Sequence, residues 1–205
     1  EISLTATGRR EVLADWLTSP ENKAFSRTIV NRVWGNYMGR GLVDPVDDLR
    51  STNPPSNEPL MNALVEDFVH HGYDIKHLAR TIMNSAAYQR SWKTTPNNVN
   101  DDRYYSHYLI KRLQAEVLLD AVSQISEVPT RFDDFPVGTR ALQLPDTAPI
   151  ASYFLDAFGR PERVNTCACE RDSQPNLRQA LHIINGDTIN KKLSAHGGLI
   201  DKAVQ

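Results

Sequence analysis

Apolar residues recur at three- and four-residue spacing through most of the chain, and that period predicts helices. Residues 8–19 place Val12, Leu13, Trp16 and Leu17 on one face, and Pro20 closes the segment. Residues 25–38 carry a broader stripe of Ile29, Val30, Val33, Trp34, Tyr37 and Met38, followed by Gly39 as a left-handed cap. Residues 59–71 turn Met61, Leu64, Val65 and Phe68 inward, with Pro59 in the first turn. Gly72 ends that helix. Asp74 caps the next, which carries Ile75, Leu78, Ile82 and Met83 and is expected to reach about Tyr88. The short join predicts an angled or antiparallel helix pair.

A long helix is expected from Asp101 or Asp102 to about Ile125, with Leu109, Leu113, Val117, Ala121 and Ile125 inward and Glu116 and Asp120 alongside. After a short apolar segment at 153–158, Asn176 and Gln179 have capping-box spacing and open a helix with Leu177, Ala180, Leu181 and Ile184 facing inward. Gly186 stops it, and Asp187 starts a short helix holding Ile189 and Leu193.

Between these helices the pattern lapses. Residues 40–58 are rich in Asp, Asn and Pro, and 127–151 contain four prolines and no helical period, with 140–144 a candidate extended piece. Loops of this length inside a compact domain often carry function. Residues 92–102 are polar and turn-rich and read as a subdomain boundary. The fold expected is mainly α: an irregular multi-helix domain of six or seven helices with two long ordered loops. It forms a single domain over 1–205, with subdomains at 1–91 and 103–205. The long helix should pack against the Asn176 helix, and residues 160–170 should thread over or between them.

Composition narrows the classes. The chain has 205 residues, 40% hydrophobic and 23% charged, which suits a soluble globular protein with a real core. A formal charge of -2 gives no overall pull toward nucleic acid, and no apolar run reaches the roughly 20 residues of a membrane span. The chain begins at Glu1 without a starting Met, which points to a piece of a larger protein.

Candidate chemistry concentrates in residues 158–187. Cys167 and Cys169 are the only cysteines, one residue apart. They read as a structural disulfide or as half-buried thiols pinning the loop. They also read as a redox pair with thiolates favoured by nearby arginines, or as two ligands for a soft metal with Glu170 or His182 added. Arg160, Arg163, Arg171 and Arg178 form an arginine set suited to a carboxylate, sulfate or phosphate, an acidic glycan for instance. The favoured reading is that they pair with Glu162, Glu170, Asp172 or the Asp47-Asp48 loop. Asp47 and Asp48 are candidate calcium ligands, with a turn or salt-bridge role preferred. His70, His71 and His77 read as surface histidines at helix ends. Nucleophile elbow, phosphate loop, dinucleotide fingerprint and H-E-x-x-H are all missing from the sequence.

Three strings carry a family resemblance. They are RREVLADWLTSPENKAFSRTIVNRVWGNYMGRGLVDPVDD at 9–48, the helix pair ending in NSAAYQRS at 84–91, and FGRPERVNTCACER with PNLRQALHIINGD. Together they resemble the planctomycete PSD domain over nearly the whole chain. That is a C-terminal domain of unknown function, usually preceded by a cytochrome-like domain and a second uncharacterised domain in large secreted or surface proteins. The resemblance implies an extracytoplasmic location and haem elsewhere in the parent chain; this chain has no C-x-x-C-H string of its own. It supplies no catalytic residues.

Three functions follow as expectations. The first is a scaffold or interaction domain whose partners are other domains of the parent protein, or protein or glycan partners. The second is an accessory thiol redox domain using Cys167 and Cys169. The third is a glycan- or anion-binding or hydrolytic domain using the arginine-rich loop.

Overall fold

The computed structural model describes residues 6–145, 150–162, 164, 170–171 and 174–204. The chain is mainly α, with no strand among the described residues. It divides into two compact units, residues 1–111 and 112–205. The polar stretch 92–102 therefore lies within the first unit rather than between units.

In the first unit, α1 spans Ala6–Thr18, α2 Lys23–Met38, α3 Glu58–His70 and α4 Ile75–Asn84. The core is built from the stripes that helical spacing predicts. Val30, Trp34 and Met38 of α2 meet Met61, Leu64, Val65 and Phe68 of α3 and Leu78 and Ile82 of α4. Full burial of each such side chain contributes about 1.5–3 kcal/mol. Asn22, Asn57 and Asp74 accept backbone N–H bonds at the starts of α2, α3 and α4, and Gly39 takes φ 82° at the end of α2. Helix α1 departs from expectation. Its predicted inward face, Val12, Leu13, Trp16 and Leu17, is exposed. Helix α4 ends at Asn84, not near Tyr88, because Ser85 leaves helical backbone and its Oγ donates to the Ile82 carbonyl.

The irregular segment after α2 is organised by one buried amide. Asn31 lies in the middle of the apolar stripe with no exposed surface. Its Nδ2 donates to the Val43 carbonyl at 2.9 Å and the Val46 carbonyl at 2.8 Å, and its Oδ1 accepts from Val43 N at 2.9 Å. Gly41 passes so close that a Cβ there would lie 2.3 Å from the Val43 carbonyl oxygen and 3.0 Å from both amide atoms of Asn31. The loop includes a cis Asp44-Pro45 bond.

The expected helix from Asp102 does not form at that point. The Asp101 carboxylate accepts backbone N–H bonds from Arg103, Tyr104 and Ser106, which close a turn instead. Tyr105 follows at φ 57°, outside helical backbone, and is buried in the first core with its hydroxyl donating to the Gly41 carbonyl at 2.7 Å. Tyr108 donates to the Tyr37 carbonyl. Aromatic anchoring thus draws residues 101–111 onto the first unit.

In the second unit, α5 spans Ala115–Ser126, α6 Tyr153–Ala157, α7 Leu177–Asn185, α8 Asp187–Leu193 and α9 Leu199–Val204. Residues 141–143 form a 3₁₀ turn, not an extended piece; Asp120 holds it by accepting from Ala141 N at 2.7 Å and Leu142 N at 3.2 Å. Helix α5 buries Ala115, Glu116 and Leu119, while Leu113 and Ile125 of the predicted stripe are exposed. The core joins Leu119 to Phe132, Leu144, Phe154, Leu155 and Phe158. Helix α5 packs on α6, α8 and α9, and α7 packs on α6 and α8. The extra helices relative to expectation are α6 and α9.

Candidate functional site

The start of α7 is built mostly from polar side chains. Asn176 and Gln179 form the capping box that their spacing predicts. Gln179 does more than cap. Buried at 5% exposure, it donates from Nε2 to the Ala157 carbonyl at 3.0 Å, tying α7 to the end of α6. Its Oε1 accepts from Asn176 N at 3.2 Å and from the Arg112 guanidinium. Arg112 also donates to the Gln174 carbonyl at 3.0 Å.

Beside this lies a buried carboxylate. Glu116, on the first turn of α5, receives both Arg171 guanidinium nitrogens, Nη1 to Oε2 at 2.7 Å and Nη2 to Oε1 at 2.9 Å. Arg160 Nε stands 4.0 Å from Oε1, and Arg160 also donates to the Pro145 carbonyl. Burial alone would push the Glu116 carboxyl up, but the Arg171 pair and the nearby Arg160 charge outweigh it and hold the group below the usual carboxylate range. Two of the four arginines proposed as an anion site thus converge on an internal anion, Glu116, which lies far from them in sequence. Arg178 is elsewhere on α7: its guanidinium lies 4.5 Å from the centre of the Tyr153 ring, with Nε donating to the Tyr153 hydroxyl at 3.1 Å. Arg163, Cys167 and Cys169 lie outside the described residues, and with them the disulfide, redox and metal readings of the cysteine pair.

His182, the suggested additional metal ligand, sits among the rings of Tyr153, Phe154 and Phe158. Its Nε2 is 3.1 Å from the Thr188 hydroxyl. Burial lowers its pKa, the Arg178 charge lowers it further, and Asp187 opposes them. A Cβ on Gly186 would lie 2.5 Å from His182 Nδ1, so this ring is packed on both sides. Helix α7 therefore buries Gln179 and His182. It exposes the stripe expected to face inward, with Leu177 73%, Leu181 51% and Ile184 68% exposed.

In the first unit, Asp47 accepts from Arg32 Nε at 2.8 Å, and Asp48 pairs with both Nε and Nη2 of Arg50 at 2.5 and 2.7 Å. Both carboxylates thus serve salt bridges, the role preferred over calcium. His71 and His77 share Asp67: His71 Nδ1 lies 3.2 Å from Oδ1, and His77 Nε2 lies 2.9 Å from Oδ2. His70 meets the His71 ring edge-to-face, at 5.3 Å between centres. Asp67 belongs to no motif in the sequence; its four-residue spacing to His71 is the signal that places the two on one helix face.

No helix among the described residues is long and apolar enough to cross a membrane. Neither a curated protein nor a solved structure matches the chain. A family model does, over residues 9–202, which is almost the whole length. The chain therefore belongs to the PSD1 family, described as proteins of unknown function (DUF1553).

Proposed function

We propose that this chain is a helical interaction domain of a larger extracytoplasmic protein, and that it docks a neighbouring domain of the same polypeptide on the outer face of α7. The observation that carries the reading is the inverted polarity of that helix. Leu177, Leu181 and Ile184 stand at i, i+4 and i+7 on solvent, while Gln179 and His182 fill the inside. A contiguous apolar stripe on a helix anchored by buried polar bonds is a surface shaped for a partner. The arginines support the same reading, because Arg160 and Arg171 are committed to Glu116 and Arg178 to Tyr153. The extracytoplasmic setting and a haem-binding cytochrome-like domain in the parent protein rest on the family resemblance, and the neighbouring domain is the partner it favours.

The test is association in trans. The chain is mixed with the remainder of its native polypeptide and binding is read by calorimetry. A Leu181→Glu, Ile184→Glu variant should keep its helix content and unfolding midpoint but lose binding. Binding that survives these substitutions would remove α7 as the docking face.

A further inference from the structure

The first unit contains a second constellation, independent of α7. Asp67 and His71 are one turn apart at the end of α3, and His77 lies in the first turn of α4. The corner between the helices is fixed by local bonds. Gly72 and Tyr73 both take φ 62°, Tyr73 N donates to the Phe68 carbonyl at 2.9 Å, and the Asp74 carboxylate accepts from Lys76 N and His77 N. These bonds bring one donor atom from each of the three side chains to within 4.8 Å of the others. The imidazoles of His71 and His77 stack, with centres 3.7 Å apart and planes 18° apart, over the one carboxylate.

The donor set decides the ligand class. Two imidazole nitrogens and one carboxylate oxygen are borderline donors that suit zinc and its first-row neighbours rather than calcium or magnesium, which favour oxygen. The carboxylate reaches both rings: Oδ1 lies 3.2 Å from His71 Nδ1 and Oδ2 lies 2.9 Å from His77 Nε2, so each oxygen faces one imidazole nitrogen. Ligands about 2.0–2.1 Å from one ion stand about 2.9–3.4 Å apart, which a modest closing of this 4.8 Å cluster supplies. We propose that Asp67, His71 and His77 form a binding site for a divalent first-row transition-metal ion of the zinc class. His77, within the first turn of α4, is the less exposed ring, at 31%. His71, at the helix end with its side chain 41% exposed, turns out of the stack so that its nitrogen lone pair meets the ion in the ring plane. In doing so it gives up the bond from Nδ1 to the Asp67 carbonyl, and its remaining ring proton moves to Nε2. Three protein ligands leave at least one position for water.

The experiment titrates the chain with zinc ion alone by calorimetry and with cobalt ion by visible absorption. Both use a Cys167→Ser, Cys169→Ser background so that thiolates do not contribute. The expected result is one ion per chain, with Asp67→Asn and His77→Ala each weakening binding by roughly 10-fold or more. His70→Ala and His196→Ala should leave it unchanged. Imidazole resonances of His71 and His77 in the unsubstituted histidine set should shift together on adding zinc, which reads the site even if a variant folds poorly. No stoichiometric binding, resonances that stay in place, or binding that persists in His77→Ala would each overturn the proposal.

Discussion

Replacing Asn31 by Ala should destabilise the first unit by about 3 kcal/mol. The side chain is fully buried and makes three hydrogen bonds to Val43 and Val46, at 2.8–2.9 Å. Each such bond is worth about 1 kcal/mol net, and truncation strands two carbonyls and one N–H in a place closed to water. Urea unfolding followed by tryptophan fluorescence reads this unit alone, because Trp16, Trp34 and Trp92 all lie within residues 1–111. With a urea slope of about 1–3 kcal/mol per molar, the midpoint should fall by about 1–3 M. Asn31→Asp is the control that separates bonding from volume. It fills the same space and can still accept from Val43 N, but it cannot donate to either carbonyl and brings a charge inside, so it should be at least as damaging near neutral pH. A loss below about 1 kcal/mol in Asn31→Ala would refute the claim that this amide organises the loop.

Further outcomes follow from the same geometry. Gly41→Ala should also destabilise the first unit in the fluorescence assay, because a Cβ 2.3 Å from the Val43 carbonyl cannot be accommodated without moving the loop off Asn31. Glu116→Gln should cost the second unit about 1–3 kcal/mol, since it takes the charged partner from Arg171, whose side chain is 24% exposed and can turn in part to water; circular dichroism reads it as helix lost in a step that tryptophan fluorescence does not follow. The Glu116 pKa is lower folded than unfolded, so its stabilisation is complete above the unfolded value of about 4.3 and is lost as pH falls through the folded value. The parent's second unit should therefore weaken below about pH 4.3, and Glu116→Gln should flatten that part of the pH–stability curve. Leu181→Ser should change stability by only about 0.5 kcal/mol, because the side chain is half exposed on an unpartnered face.

The first core was legible in the sequence because the stripes of α2 and α3 bury against one another, which is the case that periodicity describes. The same reasoning failed on α1 and α7, where the apolar stripe is real but faces outward. Helical spacing says which residues share a face, not which way the face points, and on α7 the two buried polar side chains decide it. The long helix from Asp102 was misplaced because an aspartate before a regular pattern reads as a cap. Here Asp101 closes a turn, and Tyr105 docks on the first unit. The arginines were found but not their partner: Glu116 is 44 residues before Arg160, a pairing made only by the fold. Asn31 and Gln179 carried a weak signal, an amide inside an apolar stripe and a capping residue at a buried position.

Hydrogen exchange on α7 tests the docking reading most directly. The amides of Leu177–Asn185 would be compared in this chain alone and in its full-length polypeptide. If α7 is the docking face, exchange there slows by roughly tenfold or more in the longer protein, while α3, already in a closed core, changes little. Equal exchange in the two forms would contradict it and leave the apolar stripe without a partner in its own polypeptide.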